Sequence, residues 1–437
     1  MEELIFDLSA KGGRFKPLNA TNGGPCAKRH ANDQYRTNFD DYRAMRMPYA
    51  RNHDSASIGV YGGPYSHDIS CIFPNFDADP SLPESYDFEC TDESLLVTVD
   101  AGTQPFFRLG QTIEHQIKKH HIWPPKDFMK WAVICEHIIR HYNEGWANGF
   151  RLGIEYWEIW NEPDLDREGD KYPRTWGGTK AQFFDLYETA AKHLKGCFPG
   201  LKIGGPASCG RTEWCEDFLR EMKRRNVPID FFSWHIYSKH PESVAKRTAV
   251  FRELIDRCGY PEAESILNEW NYVRGWTEDF VYSLKAIHGI KGAAFTASVI
   301  CLAQDCPVDM LMYYDTRPSA FNGAFDFYTY GKLKGYWPLY WYGRFYDAEH
   351  EIKAVSCPPN VYALCGEDAG GKLMMMVSHY NEDDGAEGAV VHVDPGKTGG
   401  RYEIFAADST HDGECTGTGE DIVLRMERNS IFFIREV

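Results

Sequence analysis

Two short stretches of the chain each end an apolar run with an asparagine followed by a glutamate. They are residues 156–164 (Tyr-Trp-Glu-Ile-Trp-Asn-Glu-Pro-Asp) and residues 265–272 (Ser-Ile-Leu-Asn-Glu-Trp-Asn-Tyr). Each pattern predicts a buried strand that stops at its glutamate, Glu162 or Glu269. In a barrel of parallel strands, the C-terminal strand ends form the rim where catalytic groups collect. Two carboxylates that meet at such a rim are the equipment for cleaving a glycosidic bond.

Cleavage by two carboxylates gives each of them a separate role. Glu162 would be the protonated acid beside the leaving oxygen, and an ionised Glu269 nearby would raise its pKa. Glu269 would attack as the nucleophile and form a glycosyl-enzyme that water later breaks down. The alternative is that each glutamate only forms an ion pair at the rim. Two Asn-Glu pairs that both end apolar strands favour the catalytic interpretation.

Polar neighbours of the two glutamates would assist them. Asn161 precedes the proposed acid, and its amide can donate to a sugar 2-hydroxyl, although it can also begin a turn before Pro163. In Ser-Trp-His-Ile-Tyr, His235 and Tyr237 lie on the same face of a predicted strand. The phenol of Tyr237 would orient Glu269 and favour its ionised form. His235 would bridge a carboxylate and the sugar, unless it is a satisfied core histidine.

Five further residues are candidates for substrate binding at the rim. His53 and Asp54 end the second predicted strand, where three consecutive polar groups would form a sugar-binding corner. Trp176, in the loop after the fourth strand, is predicted to be an exposed stacking platform, with packing against a helix as the alternative. Trp276 is a second candidate platform. Glu114 follows the third strand and would bind hydroxyls, although a solvated loop explains it almost as well.

A metal site is the rival interpretation of the same polar groups. His53, Asp54, His235 and the two glutamates could assemble one in principle. The sequence carries no metal-ligand motif such as His-Glu-x-x-His around them. We therefore expect no metal ion at this site.

The composition restricts the class of protein and its partners. The 437 residues are 43% hydrophobic and 25% charged, as in soluble globular proteins. A formal charge of −17 argues against a nucleic acid or an anionic membrane as partner, because both need a basic footprint. Thirteen scattered cysteines without a Cys-x-x-Cys pair favour free thiols. With no apolar signal segment at the N-terminus, we expect a cytoplasmic protein.

Strand-like and helix-like segments alternate over most of the chain. Strands are predicted near residues 18–24, 49–54, 103–110, 154–160, 202–207, 231–237, 266–269 and 310–314. Helices are predicted over residues 126–142, 180–194, 243–258 and 283–302. Eight strand ends with intervening helices predict a (β/α)₈ TIM barrel over residues 17–345.

The pattern changes after about residue 345. Short alternating runs are separated by turns rich in glycine and aspartate, which is typical of antiparallel sheets. Residues 346–437 are therefore predicted to form an all-β sandwich. Residues 1–16 are expected to add a strand or two to it.

Four of these motifs together resemble the retaining clan A glycoside hydrolases, and within that clan family 39, which contains β-xylosidases and α-L-iduronidases. They are Trp-Glu-Ile-Trp-Asn-Glu-Pro, Gly-Gly-Pro-Ala, Ser-Trp-His-Ile-Tyr and Asn-Glu-Trp-Asn. The segment that begins at Trp176 and the Phe-Asn-Gly-Ala-Phe stretch at 321–325 are also similar to that family. The resemblance covers roughly residues 17–355. It implies a barrel with a β-sandwich, Glu162 as acid/base, Glu269 as nucleophile, net retention and no cofactor.

The chain departs from the xylosidase pattern where the sugar would be held. Asp315 follows Tyr314 at a position where that pattern has a tryptophan. A carboxylate there would bind hydroxyls and repel a uronic acid. We expect an exo-acting enzyme on oligosaccharides from plant or host glycans, β-xylosidase-like, with galactosides and arabinosides left open as substrates. A weakly active sugar-binding barrel and a metal-dependent hydrolase remain the alternatives, and a homo-oligomer stays open.

Overall fold

A computed structural model describes residues 2–26, 37–54, 65–319 and 321–437. In these ranges a closed barrel lies against a nine-stranded sheet. The chain begins in the sheet with β1 (Glu2–Lys11) and then enters the barrel. Eight parallel strands close the barrel in chain order: β2 (Ala20–Asn22), β3 (Tyr49–Arg51), β4 (Gln104–Leu109), β5 (Tyr156–Ile159), β6 (Lys202–Ser208), β7 (Phe231–Ser238), β8 (Glu264–Tyr272) and β9 (Met310–Tyr313). All eight predicted barrel strands are confirmed.

Helices connect the strands and cover the outside of the barrel. They are α1 (Phe39–Ala44), α2 (Ile69–Ile72), α3 (Glu89–Asp100), α4 (Phe128–Asn143), α5 (Lys180–Cys197), α6 (Thr212–Arg224), α7 (Pro241–Arg257), α8 (Phe280–His288), α9 (Ile290–Ala303) and α10 (Tyr336–Tyr342). Helix α5 begins with a capping box in which Thr179 and Gln182 satisfy each other's backbone amides. The single helix predicted over residues 283–302 is two helices, because Gly289 adopts an extended conformation between α8 and α9.

The barrel interior is apolar at its base and polar towards the C-terminal strand ends. Seven buried residues form a separate apolar cluster inside the barrel: Ala20, Phe106, Tyr156, Phe231, Ile266, Met310 and Met312. Above them lie the fully buried side chains of Arg51 and Glu158. Charged groups at this depth must be paired, because burial of a single charge is costly. The polar layer is therefore the floor of a site at the rim.

The second layer is a mostly antiparallel sheet that packs against the barrel through α9. Its later strands are β10 (Ala348–Ser356), β11 (Val361–Asp368), β12 (Leu373–His379), β13 (Ala389–Asp394), β14 (Tyr402–Ala407), β15 (Asp412–Gly419), β16 (Ile422–Met426) and β17 (Ser430–Glu436). Strand β1 lies between β10 and β13, and α9 contacts β11, β12 and β17. The sheet agrees with the predicted fold class of a TIM barrel with a C-terminal β-sandwich. The domain limits at 16/17 and 345/346 stay predictions.

Within the described ranges, no single helix is long and apolar enough to cross a membrane. Helices α8 and α9, which meet at 78°, reach that length and composition only as a bent pair.

Candidate active site

The carboxylates of Glu162 and Glu269 face each other at the C-terminal rim of the barrel. One oxygen of each, together with a ring nitrogen of His235, lies within 4.8 Å of the others. Both glutamates are buried, with 6% and 5% of their surfaces exposed. A distance of at most 4.8 Å between these oxygens leaves no room for a water molecule between carboxylate and sugar, so this spacing suits a direct nucleophilic attack.

The end of β5 turns sharply so that Glu162 points into the mouth of the barrel. Trp160 and Glu162 both have positive φ angles, 72° and 45°. Hydrogen bonds hold this unusual backbone, because the amide of Glu162 donates to the carbonyl of Ala207 (2.8 Å) and its carbonyl accepts from Thr175 Oγ1 (2.6 Å). Strain held in this way is common at functional sites.

A β-bulge places Glu269 beside His235. In the pairing of β7 with β8, Trp234 lies opposite Leu267 but His235 lies opposite Glu269, so Asn268 is an extra residue. Regular alternation would send Asn268 and Glu269 to opposite faces of the strand. The bulge lets both reach the interior, where the amide of Asn268 donates to Oε1 of Glu158.

A buried ion pair under the glutamates was missed from the sequence. Nε of Arg51 donates to Oε2 of Glu158 (2.6 Å), whose other oxygen accepts from Ser233 and Asn268. Arg51 also donates to Asn161 (2.6 Å) and lies 3.4 Å from Oε2 of Glu269. The signal was present, since each charge interrupts an apolar strand and therefore requires a partner.

Burial gives Glu162 the protonation state of a general acid. It raises the pKa of Glu162 to about 8, and the negative charge of Asp164 adds to the rise, whereas Arg51 opposes it. An ionised Glu269, the cause expected from the sequence, is not the main cause of this shift. The main cause is loss of solvent around the carboxyl, followed by the charge of Asp164. Glu162 therefore holds its proton at neutral pH.

Glu269 is buried as well, but its neighbours favour its charge. Burial raises the pKa of Glu269 above its usual value and the nearby Glu162 adds to the rise, while His235, Arg51 and the hydrogen bond from Tyr237 oppose it. The phenol of Tyr237 donates to Oε1 of Glu269 over 2.5 Å. This hydrogen bond orients Glu269 in the way expected of Tyr237. Of the two glutamates, Glu269 is the one whose charged form is stabilised by a hydrogen bond from Tyr237 and by the nearby guanidinium of Arg51.

His235 lies between the two carboxylates. Its Nδ1 shares a hydrogen bond of 2.8 Å with Oε1 of Glu162 and lies 3.6 Å from Oε2 of Glu269. Burial lowers the pKa of His235, so the ring is neutral near pH 7. Its Nε2 has no hydrogen-bond partner among the described residues. The ring can therefore offer that nitrogen to a ligand.

Other buried polar atoms at the rim also lack a hydrogen-bond partner within the described part of the chain. They are Nδ2 of Asn161, Oδ1 of Asp54 and Nδ1 of His53. Nε2 of His53 is 3.4 Å from Oδ1 of Asp54, and burial holds the pKa of His53 well below its usual range. An unpaired buried polar atom is costly, so such atoms mark places where ligand hydroxyls would bind. The structure thus brings together all three of these predicted residues.

The two tryptophans predicted to be stacking platforms differ in exposure. Trp276 is 58% exposed and contacts Tyr237 edge to face at 4.9 Å, with Phe280 and Phe321 stacked on it. Trp176 is only 5% exposed, because its indole packs against Trp160 and Phe183 and donates to the carbonyl of Thr179. The prediction of an exposed platform was wrong for Trp176, which packs against α5.

Asp315 is not available to bind a sugar as predicted. Its carboxylate is fully buried and accepts from Nε of Arg317 (2.6 Å) and from Ser319 (3.3 Å). The guanidinium of Arg317 also donates to the backbone carbonyl of Asp54. The charge that was expected to repel a uronic acid is therefore neutralised two residues away. This corrects the role assigned to Asp315.

Glu114 stabilises a loop rather than facing the site. Its two carboxylate oxygens accept from the backbone amides of His120 and His121, each at 2.7 Å. Its own amide donates to the carbonyl of Arg174. Because both oxygens are occupied in the loop after β4, the predicted contact with hydroxyls was wrong.

The cluster of Glu162, His235 and Glu269 has the ligand types and spacing of a divalent metal site. Its surroundings are less suitable. The guanidinium of Arg51 is 3.4 Å from Glu269, and Tyr237 already occupies the other oxygen of that carboxylate. A fixed positive charge at this distance disfavours a second cation.

Known proteins resemble this chain in sequence and in fold. The sequence profile described as "Glycosyl hydrolases family 39" matches residues 24–255. A β-xylosidase of Geobacillus stearothermophilus is 28% identical over 244 residues, which are 48% of this chain and 45% of that relative. The chain thus matches less than half the length of that curated relative.

Solved structures share the whole fold at lower identity. A glucosidase from Croceicoccus marinus aligns with a TM-score of 0.80 and 22% identity, covering 100% of this chain and 99% of the other. A monomeric β-xylosidase from Caulobacter crescentus aligns with a TM-score of 0.70 and 15% identity over 100% and 99% of the two chains. At these identities the likeness concerns the fold alone.

Proposed function

This chain belongs to the glycosyl hydrolases of family 39, and we propose on that premise that it hydrolyses glycosidic bonds with net retention. The observation that carries the proposal is the proximity of the two rim carboxylates, an oxygen of each lying within 4.8 Å. Retaining enzymes hold their carboxyl groups about 5–5.5 Å apart, and inverting enzymes about 6.5–9.5 Å apart.

In the first step, the protonated Glu162 donates its proton to the glycosidic oxygen as the bond to the anomeric carbon breaks. A carboxylate oxygen of Glu269 forms a bond to that carbon and completes the glycosyl-enzyme. In the second step, the ionised Glu162 removes a proton from water, which attacks the same carbon and releases Glu269. The pKa of about 8 at Glu162 supports its role as the acid.

Binding of the sugar is assigned to the polar atoms that lack partners at the rim. Asn161 would donate from Nδ2 to the 2-hydroxyl, because Arg51 already holds its side-chain oxygen. His53, Asp54 and Nε2 of His235 would bind further hydroxyls. Trp276 would offer its ring to an apolar sugar face. These are neutral-sugar contacts, so we propose oligosaccharide glycosides as the substrate class.

The sugar itself is proposed from the relatives. A curated relative is a β-xylosidase, so β-xylosides are the first substrates to test. Galactosides and arabinosides come next, because the aspartate after Tyr314 departs from the xylosidase pattern. The pairing of that aspartate with Arg317 removes the argument that it repels uronic acids.

The decisive experiment traps the covalent intermediate. A nitrophenyl glycoside panel first identifies the sugar and anomer that the enzyme cleaves. The matching 2-deoxy-2-fluoro glycoside with a dinitrophenyl leaving group should then inactivate it and add one sugar mass to the peptide that contains Glu269. A label on another residue, or full activity of Glu269→Ala, would contradict the proposal.

Glu155→Gln is the matched control for these variants. Glu155 is a glutamate 46% exposed just before β5, at the opposite end of that strand from Glu162. We expect this variant to keep wild-type activity.

A second candidate function is metal-dependent hydrolysis, which the grouping of Glu162, His235 and Glu269 favours. It predicts that EDTA abolishes activity and that zinc or manganese restores it. Two-glutamate catalysis predicts unchanged rates after chelation. The same assay therefore separates the two proposals.

A further inference from the structure

The loop between β8 and α8, residues 273–279, carries Trp276 at the mouth of the site. It follows directly on the strand that bears Glu269. Trp276 is mostly exposed, and its ring contacts Tyr237, which holds Glu269. The position of this ring therefore depends on how the loop is anchored.

The loop is anchored by the all-β sheet through one arginine. Arg274 donates from Nε to Oε1 of Glu382 over 2.6 Å and from Nη2 to Asp384 over 3.3 Å. Both carboxylates belong to the turn between β12 and β13. The guanidinium also lies 3.7 Å from the ring centre of Tyr282 on α8. Arg274 is thus held both by the sheet and by the barrel, two residues before Trp276. We call Arg274, with its partners Glu382, Asp384 and Tyr282, the clamp.

Glu382 is the centre of this clamp. Besides Arg274, its carboxylate accepts from the phenols of Tyr272 (3.0 Å) and Tyr380 (2.9 Å), and Lys291 lies 3.2 Å away. Its side chain is 14% exposed, so the charge is largely removed from solvent. Donors from β8, α9 and the sheet converge on one carboxylate. That is more than a surface ion pair requires.

We propose that Glu382 is a positioning residue for substrate binding, which holds the loop 273–279 through Arg274 and thereby fixes the ring of Trp276 at the mouth of the site. The inference rests on the proposed function, because it assumes that the mouth binds a sugar. It gives the all-β sheet a part in substrate binding. Glu382 itself touches neither of the proposed catalytic glutamates.

The kinetic test compares Glu382→Gln with Glu403→Gln. The control removes a carboxylate that pairs with Arg435 within the same sheet. With the best glycoside from the panel, Glu382→Gln should raise KM by about three- to tenfold, no more than loss of the ring itself, while kcat and the pH profile stay within twofold of wild type. Glu403→Gln should leave all three unchanged. An unchanged KM in Glu382→Gln would overturn the proposal.

A double-mutant cycle tests whether Glu382 acts through Trp276. If it does, Glu382→Gln added to Trp276→Ala should raise KM no further than Trp276→Ala alone. Independent, multiplicative increases would contradict positioning through the ring. Arg274→Lys changes the other partner of the same ion pair. It should raise KM in the same way and replaces Glu382→Gln in the test if that variant does not fold.

Hydrogen exchange supplies a readout that needs no turnover. In Glu382→Gln, amide exchange of residues 273–279 should accelerate at least tenfold, while exchange of β5 stays unchanged. Equal protection of the loop in both proteins would refute the clamp. If the wild-type chain cleaves no glycoside, the proposed function fails, and this exchange measurement still decides whether Glu382 holds the loop.

Discussion

Arg51 donates from Nη2 to Oδ1 of Asn161 over 2.6 Å, and its Nη1 lies 3.4 Å from Oε2 of Glu269. The Nε of the same group donates to Glu158. One guanidinium therefore orients the amide beside the proposed acid and supplies positive charge to the proposed nucleophile. The planar fork makes these contacts together, and an ammonium group cannot reproduce them.

Arg51→Lys should therefore lower kcat/KM by about 10²- to 10³-fold, a loss typical of a removed electrostatic group in an active site. It should also move the acidic limb of the pH profile to higher pH. The sign follows from Arg51 favouring the charged form of Glu269. The ammonium of lysine keeps a positive charge but cannot contact Glu158, Asn161 and Glu269 together. The carboxylate of Glu269 is then less stabilised and takes up its proton at a higher pH, and the proposed mechanism requires its ionised form.

Initial rates between pH 4 and 9 would measure both effects of Arg51→Lys. Arg46→Lys is the control, since Arg46 forms an exposed ion pair with Asp347. If the acidic limb of Arg51→Lys lay at the same pH as that of the wild type, Arg51 would not be the group that stabilises the charge of Glu269.

Glu162→Ala should discriminate between leaving groups. A dinitrophenolate leaves without a proton, so we expect kcat/KM for such glycosides to fall less than about tenfold, against about 10²- to 10⁴-fold for a poor leaving group. The wild type should lose kcat/KM for the poor leaving group as pH rises through about 8, where Glu162 releases its proton. The variant should lack that alkaline limb. Equal losses on both substrates would remove Glu162 from the role of acid.

The barrel strands could be predicted from the sequence because each one ends an apolar run with a polar group at the rim. For example, β7 carries Ser233, His235 and Tyr237 at alternate positions, and their side chains do share one face. The proximity of the two glutamates followed from the same rule, since parallel strands end at one edge.

The remaining contacts depend on tertiary packing that alternation does not encode. The bulge at Asn268 changes which side of β8 one residue faces. Arg51 and Glu158 come from different strands and form their ion pair only in the folded barrel. The burial of Trp176 follows from the position of α5. The pairing of Asp315 with Arg317, only two residues away, is the one such contact that a reading of neighbouring charges could have found.

Glu162 should cost the enzyme stability at neutral and alkaline pH. Its pKa rises from 4.5 to about 8 on folding. Between these values the unfolded chain releases a proton that the folded chain keeps, so folding stability falls as pH increases from 4.5 to 8. Glu162→Gln removes the penalty, and we expect a gain of at most about 5 kcal/mol in unfolding free energy above pH 8.

Urea unfolding of wild type and Glu162→Gln at several pH values would test this gain. The unfolding free energies of the two proteins should converge below pH 4.5, where Glu162 carries its proton in both the folded and the unfolded wild-type chain. A pH-independent difference would mean that the amide packs differently and that the charge is not the cause.

Trp176 and Trp276 were both predicted to be stacking platforms, but their replacement by alanine should have opposite effects on stability and on KM. Trp176→Ala empties a site packed by Trp160 and Phe183, so we expect a loss of about 3–5 kcal/mol in unfolding free energy. Trp276 is 58% exposed, and its replacement should change stability by only about 0.5 kcal/mol. Removing a stacking face should instead raise KM about three- to tenfold. Denaturant unfolding and steady-state kinetics on both variants would measure this, and a wild-type KM in Trp276→Ala would exclude the ring from substrate binding.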